Sequence, residues 1–227
     1  ANGVGLFRTE LLYLSAKSEP GLEDQVASYT AILQAAPKGP IVVRTIDAGS
    51  DKPVPFLNMP GEENPSLGVR GYRLIGEHRN FIEGQLKALE TARSATGREV
   101  WVMAPMIATV QEAKDFSDLA RSLGKYKVGI MIETPSIALM VDQLAGIVDF
   151  VSVGTNDLSQ YLFAADRMNP SLGALLNHWQ PALIKSLARI AQAAKSVGIT
   201  SGVCGESASD PAFAVVLAGL GIESVSV

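Results

Sequence analysis

Short apolar segments of strand-forming residues alternate with helix-like segments along this chain, and this alternation limits the folds that the chain can adopt. The predicted strands are Val4–Phe7, Ile41–Val43, Val100–Met103, Val128–Ile132, Phe150–Val153, Ser201–Val203 and the last few residues. Strands that alternate with helices form parallel β/α units rather than a sandwich. The sequence therefore predicts either a (β/α)8 barrel or a doubly wound open sheet.

Polar side chains stand directly after these strands and help to choose between the two folds. They are Arg8, Arg44, Glu133, Asn156, Asp157 and Cys204. Functional residues drawn from the ends of several strands are typical of a barrel, whereas an open sheet binds its ligand at one switch point after a Gly-rich turn. We therefore expect an α/β fold of the (β/α)8 TIM-barrel type, with residues 1–227 as one domain. Because the chain opens almost directly on GVGLF and stops within ESVSV, we expect this barrel to be truncated at both ends.

The helix-like segments are defined by apolar spacing and by capping signals. Helices are expected at Leu22–Ala36, Leu67–Ile75, Phe81–Ala92, Thr109–Leu123, Pro135–Leu144, Pro181–Val197 and Pro211–Leu220. Thr109 followed three residues later by Glu112 is a capping-box pattern. The Gly/Pro-rich stretch AGSDKPVPFLNMPGEENPSLG is too polar and broken for core structure, and loops of this length are usually functional.

Composition excludes several classes of function. A net charge of −4 argues against a nucleic-acid or anionic-membrane surface, and no apolar run approaches the roughly 20 residues of a membrane span. The single cysteine cannot form an internal disulfide, so a cytoplasmic location is expected. An anionic substrate would have to be held by locally placed cations.

Glu133 and Asp157 follow consecutive strands, which are neighbours in a barrel. Two protein carboxylates, completed by substrate and water oxygens, are the usual way in which Mg²⁺ is held. The alternative is that each carboxylate simply caps the helix that follows it. The pair together favours the metal site.

Arg8 and Arg44 interrupt apolar strands at their ends. The planar guanidinium suits a phosphate or a carboxylate, and arginine is costly near a core unless it is paired. The alternative is an internal salt bridge with Glu10 or Asp47. Weaker candidates are Arg70, Arg73 and Arg167, which lie on helix or loop segments. Several arginines beside a Mg²⁺ site point to a phosphorylated carboxylic acid.

Cys204 and the two histidines are the remaining candidates for chemistry. A thiol that faces a cation-rich pocket can act as a nucleophile or a proton donor, although most lone cysteines are inert and buried. His78 and His178 lie outside the strand ends, and we expect both to be surface or structural residues.

The segments GVGLFRTE, VRTIDAGSDK, EENPSLGVRGYR, GIMIETP, FVSVGTNDLSQY, DRMN and GVCGE occur in order along nearly the whole chain. This set resembles the phosphoenolpyruvate-binding barrel of enzyme I of the bacterial sugar phosphotransferase system. The wider family includes pyruvate phosphate dikinase and phosphoenolpyruvate synthase, and a barrel of either enzyme is the alternative. A third possibility is a barrel kept for dimerisation or regulation. Ser50 and Met168 stand where the family usually has glycine.

The resemblance implies roles for the candidate residues. Glu133 and Asp157 would bind Mg²⁺ and Cys204 would protonate the enolate carbon as pyruvate forms. The phosphoryl group would be held by Arg8, Arg44, Asn156 and Arg167, with Arg70 near the carboxylate. The phosphoryl acceptor would be a histidine on a separate domain of the same polypeptide, which passes it to a histidine phosphocarrier protein. The resemblance also implies a homodimer. The phosphohistidine domain itself is not recognisable in this sequence.

Overall fold

The computed structural model describes residues 2–13, 16 and 18–227, in which parallel strands alternate with helices. The described chain forms two compact units. The first unit runs through Met106 and includes Asp118–Val128, and the second comprises Ile107–Ser117 and Gly129–Val227.

The first unit contains three parallel strands in the order of the sequence. They are β1 (Val4–Arg8), β2 (Ile41–Arg44) and β3 (Val100–Ala104). Helix α1 (Leu22–Ala35) packs against α2 (Ile75–Thr96). Arg8 is the register partner of Arg44, which places both arginines at the carboxyl edge of this part of the sheet, as predicted.

The long segment between β2 and α2 contains three short 3₁₀ helices, Pro55–Leu57, Pro65–Leu67 and Gly71–Leu74. The predicted helix Leu67–Ile75 is therefore wrong, because Pro65 at the start and the glycines within the segment interrupt a regular helix. The predicted helix Phe81–Ala92 lies inside the longer α2, whose backbone is non-helical at His78.

The second unit contains most of β4 (Lys127–Ile132), with β5 (Phe150–Gly154), β6 (Thr200–Cys204) and β7 (Ser224–Val225). These strands are parallel and are ordered as in the sequence. Ile132 pairs with Val153, and Gly154 pairs with Cys204. The residues that follow β4, β5 and β6 therefore emerge at one edge.

The remaining helices are α3 (Val110–Leu123), α4 (Pro135–Ala138), α5 (Thr155–Leu162), α6 (Pro181–Ser196) and α7 (Pro211–Gly219). The predicted capping box is present, since Glu112 N donates to Thr109 Oγ1 at 3.1 Å and Thr109 N donates to Glu112 Oε2 at 2.9 Å. The helix predicted to run to Leu144 ends at Ala138, and a 3₁₀ turn follows at Val141–Leu144. No described helix is both long and apolar enough to cross a membrane.

Candidate functional site

Arg8 and Arg44 share an edge of the sheet but differ in environment. The Arg8 side chain is exposed, whereas Arg44 is only 5% exposed. Arg44 Nη2 lies 2.6 Å from Glu10 Oε1, and its Nη1 lies 3.2 Å from Asp47 Oδ2. The salt bridges considered as the structural alternative for Arg44 are thus present, and Arg44 is held in place by them.

Arg70 is almost completely buried and is bound to the same carboxylate. Its Nη2 donates to both oxygens of Asp47 at 3.1 Å. Burial raises the pKa of Asp47, but the charges of Arg44, Arg70 and Lys52, together with the hydrogen bond from Arg70, outweigh burial and lower this pKa. Asp47 is therefore the anionic bridge between two arginines, and we call Glu10, Arg44, Asp47 and Arg70 the arginine cluster.

A buried network of neutral side chains fixes the backbone within this cluster. Gln85 Oε1 accepts a hydrogen bond from Ile46 N at 3.0 Å, between Arg44 and Asp47 in the sequence. Gln85 Nε2 donates to the hydroxyls of Tyr13 and Tyr29, which lie 2.6 Å apart. Burial raises the pKa of both phenols, so they stay protonated and act as hydrogen-bond donors.

The loop between Asp47 and Arg70 is anchored by Glu62 and Arg73. Glu62 accepts hydrogen bonds from Val69 N and from Ser50 Oγ, at 3.0 Å and 3.4 Å. Arg73 Nη1 donates to the carbonyls of Leu67 and Gly68. Arg73 therefore has a structural role, and Ser50 is accommodated within the loop.

Glu133 follows β4 and is 1% exposed. A Cβ atom on Gly154 would come within 2.7 Å of Glu133 Oε2, so the absence of a side chain at the end of β5 makes room for this carboxylate. Asp157 lies three residues further, in the first turn of α5, and is also buried. The second unit thus brings the two predicted metal ligands to adjacent strand ends.

Arg167 is the predicted cation of the second unit, and it is tied to Asp157. Arg167 Nη1 lies 3.5 Å from Asp157 Oδ1, and its side chain is 24% exposed. Its backbone N–H donates to Gln160 Oε1 at 2.9 Å. Arg167 is more accessible than Arg44 or Arg70.

Asn156 has a fixed orientation because Glu206 N donates to its Oδ1 at 3.2 Å. The carbonyl end of the amide is occupied, so the amide nitrogen of Asn156 is available as a donor to a ligand oxygen. This arrangement suits the phosphoryl contact that the resemblance implies.

Cys204 is buried at the end of β6. Its Sγ donates to the carbonyl of Val153 at 3.6 Å and accepts a hydrogen bond from Ser152 Oγ at 3.5 Å. A thiol that donates a hydrogen bond carries its proton. A residue that acts as a general acid in catalysis must also be protonated.

A pocket of about 500 Å³ lies in the second unit. Its lining includes Asn156, Arg167, Met168, Leu176, His178 and Glu206. His178 Nε2 lies 2.9 Å from Asp210 Oδ2, and this contact with His178 is the main reason that the pKa of Asp210 is lowered. His178 thus lies at the pocket, although its fixed position agrees with the structural role predicted for it.

The buried carboxylates Glu133 and Asp157 are a donor set of the kind that Mg²⁺ uses. Among residues 2–13, 16 and 18–227, no group of three or more His, Cys, Asp or Glu could hold a metal ion. Mg²⁺ usually takes one or two carboxylates and completes its shell with water and substrate. Glu133, with the space left by Gly154, and Asp157 match that requirement.

The comparisons with known proteins identify the class. A family profile described as "PEP-utilising enzyme, PEP-binding domain" matches residues 1–227. The chain belongs to this family of phosphoenolpyruvate-binding domains.

The chain is similar over its whole length to several named proteins. The chain is 48% identical over 230 residues to a phosphoenolpyruvate-protein phosphotransferase of Streptomyces coelicolor, covering all of this chain and 41% of that protein. It is 42% identical over 241 residues to a protein of the same name from Haloferax volcanii, covering all of this chain and 42% of that one. A multiphosphoryl transfer protein of Rhodobacter capsulatus is 42% identical over 233 residues, and the chain covers 28% of it. The chain thus spans about two fifths or less of these relatives, all of which are named for phosphoryl transfer.

Solved structures support the fold alone. A malate synthase of Haloferax volcanii, in a magnesium and glyoxylate complex, aligns with a TM-score of 0.58 at 13% identity, over 89% of this chain and 56% of that one. Together with the family match, this similarity confirms the α/β barrel class that the sequence predicts.

Proposed function

We propose that this chain is the phosphoenolpyruvate-binding domain of a phosphotransferase that moves the phosphoryl group of phosphoenolpyruvate to a histidine and releases pyruvate. The observation that carries this proposal is the 48% identity, over the whole chain, to a phosphoenolpyruvate-protein phosphotransferase. The names of the relatives favour this reaction over that of a dikinase or a synthase. The reaction would be the first step of a sugar phosphotransferase system.

Arginine side chains would bind the phosphoenolpyruvate. Arg44 is held by the arginine cluster before the ligand arrives, and Arg8 is exposed and able to close on an anion. Arg70 would bind the carboxylate. Cations that are positioned in advance stabilise a transferring phosphoryl group because little reorganisation is needed during the reaction.

Glu133 and Asp157 would hold Mg²⁺, which offsets charge on the phosphoryl and carboxylate oxygens when it is bound. Asn156 donates its amide hydrogens to the phosphoryl group, and Arg167 lies beside Asp157 with its side chain partly exposed. Cys204 delivers its thiol proton to the C3 carbon of the departing enolate. The donor geometry of its Sγ supports this role.

The proposal extends to the rest of the protein. Residues 1–227 act as one domain, which works with a phosphohistidine domain of the same polypeptide and a downstream histidine phosphocarrier protein. We infer a homodimer that functions in the cytoplasm.

Exchange of the C3 protons of pyruvate tests the enzymatic proposal. In deuterated water with Mg²⁺, the full-length protein should exchange these protons, and Cys204→Ser should lose most of the exchange while still binding phosphoenolpyruvate. An unchanged exchange rate in Cys204→Ser would remove the acid role. No exchange in the wild-type protein would instead favour a barrel kept for dimerisation or regulation.

A further inference from the structure

Glu206 combines an exposed side chain with a tightly held backbone. Its N–H donates to Asn156 Oδ1 at 3.2 Å, and the neighbouring Ser207 hydroxyl lies 2.7 Å from the Thr155 hydroxyl. The Thr155 hydroxyl also donates to the carbonyl of Cys204 at 3.1 Å, so Ser207 is the donor in the first of these contacts. These hydrogen bonds fix the turn after β6 against the first turn of α5.

Gly205 makes this close approach possible. Its φ of +104° lies in the left-handed region, and a Cβ atom there would come within 2.8 Å of Thr155 Oγ1 and 2.9 Å of Asn156 Oδ1. The backbone conformation that carries Glu206 is therefore specific. An exposed carboxylate on so constrained a turn indicates a function that depends on its position.

The charge of Glu206 conflicts with simple anion binding. The pocket presents donors from Arg167 and from the Asn156 amide, and Glu206 is the one carboxylate among the residues that line it. A carboxylate beside an anion lowers the affinity for that anion, because like charges repel. An N–H donor that enters the pocket next to the carboxylate would offset this repulsion and let the set bind a phosphoryl group.

Met168 and Leu176 add apolar surface to the same pocket. A small flat ring with one N–H group would contact this surface and donate to Glu206. His178 is already joined to Asp210 through Nε2.

We propose that Glu206 accepts the N–H hydrogen bond of the imidazole that receives the phosphoryl group, an inference that rests on the function proposed above. One ring nitrogen attacks phosphorus with its lone pair, and the bond between phosphorus and the enol oxygen breaks. The electron pair of that bond leaves with the enolate of pyruvate, which then takes its proton from Cys204. The other ring nitrogen keeps its proton in a hydrogen bond to Glu206, which stabilises the positive charge that develops on the ring.

The test uses the full-length protein that includes the phosphohistidine domain, in the variants Glu206→Gln and Glu206→Asp. In Glu206→Gln, phosphorylation of the acceptor histidine should slow roughly tenfold, as expected when a hydrogen bond to a charged carboxylate becomes one to a neutral amide oxygen. The affinity for phosphoenolpyruvate with Mg²⁺ should stay the same or rise. Glu206→Asp should recover part of the rate.

Glu23→Gln is the matched control, since Glu23 is an exposed carboxylate on α1, and its rate should equal that of the wild type. A wild-type rate in Glu206→Gln would overturn the inference. So would an equal loss of binding and rate, or phosphate found on His178 by mass spectrometry. If the wild-type protein does not bind phosphoenolpyruvate, the proposed function is wrong, and the inference about Glu206, which rests on it, is wrong as well.

Discussion

The two units hold their candidate ligand groups in different ways. In the first unit, Arg44 and Arg70 are buried and are bound to the buried carboxylate of Asp47. In the second unit, Arg167 is partly exposed, and Asn156 lines an open pocket. Arg44 and Arg70 are therefore also part of the core, whereas Arg167 and Asn156 line a pocket where a ligand could reach them. Substitutions of Arg44 and Arg70 should therefore lower stability and binding together, and those of Asn156 and Arg167 should lower mainly binding.

The largest effect is expected for Asp47→Asn. Removal of this charge leaves Arg44 and Arg70 in the core without their shared anion, and loss of one partner of a buried ion pair costs about 3–5 kcal/mol. Urea unfolding followed by circular dichroism measures the change. The matched control is Glu83→Gln, which removes the partner of the exposed Arg79 and should cost less than about 0.5 kcal/mol. Equal losses in the two variants would contradict the structural role of the arginine cluster.

The stability of the protein should depend on pH through the ionisation of Asp47. The pKa of Asp47 is lower in the folded protein than in the unfolded chain, where it is about 3.9. Its stabilising contribution is therefore complete above that value and is lost as the pH falls through the folded pKa. Urea midpoints measured from about pH 6 downward should fall in acid. The fall should be shallower in Asp47→Asn, and parallel curves for the two proteins would show that Asp47 is not responsible.

A smaller loss is expected for Gln85→Leu. This change leaves Ile46 N–H without its buried acceptor and removes the donor that Gln85 supplies to the Tyr13 and Tyr29 hydroxyls, at a cost of about 1–3 kcal/mol. Because Ile46 lies between Arg44 and Asp47, the affinity for phosphoenolpyruvate should fall as well. Gln111→Leu, on the exposed face of α3, is the control and should change neither quantity. If Gln85→Leu is as stable as the wild type and binds phosphoenolpyruvate with the same affinity, the Gln85 network does not support the binding site.

The smallest change in stability is expected for Arg167→Ala. Its contact with Asp157 is long and partly exposed, so its loss should cost at most about 1 kcal/mol. The affinity for phosphoenolpyruvate should nevertheless fall at least tenfold. If unfolding shows a loss as large as that of Asp47→Asn, the distinction between the two units does not hold.

The sequence predicted the parts of the fold that depend on local pattern. The strands and the residues that follow them were recognised because apolar runs end in charged or polar side chains, as at Arg44, Glu133 and Asp157. Helix α5 was not predicted, since its N-cap is Gly154 and makes no side-chain capping bond. The segment GTNDLSQ therefore looks like a turn.

The roles of Gln85 and Glu206 depend on contacts that sequence reasoning could not supply. Gln85 lies 39 residues from Ile46, and Glu206 lies 50 residues from Asn156. A buried glutamine inside an amphipathic helix resembles any other polar helical residue in sequence. The motif GVCGE drew attention to Cys204. For Glu206, the available signal in the sequence was Gly205, the glycine that precedes it in the same motif.

Calorimetric titration of phosphoenolpyruvate into the protein, with and without Mg²⁺, tests the proposed function most directly. Binding should require Mg²⁺ in the wild type and should be lost in both Arg44→Ala and Glu133→Ala, one substitution in each unit. Arg79→Ala, which alters an exposed arginine of α2, should bind like the wild type. Unchanged binding in both Arg44→Ala and Glu133→Ala, with each variant folded by circular dichroism, would contradict the proposal.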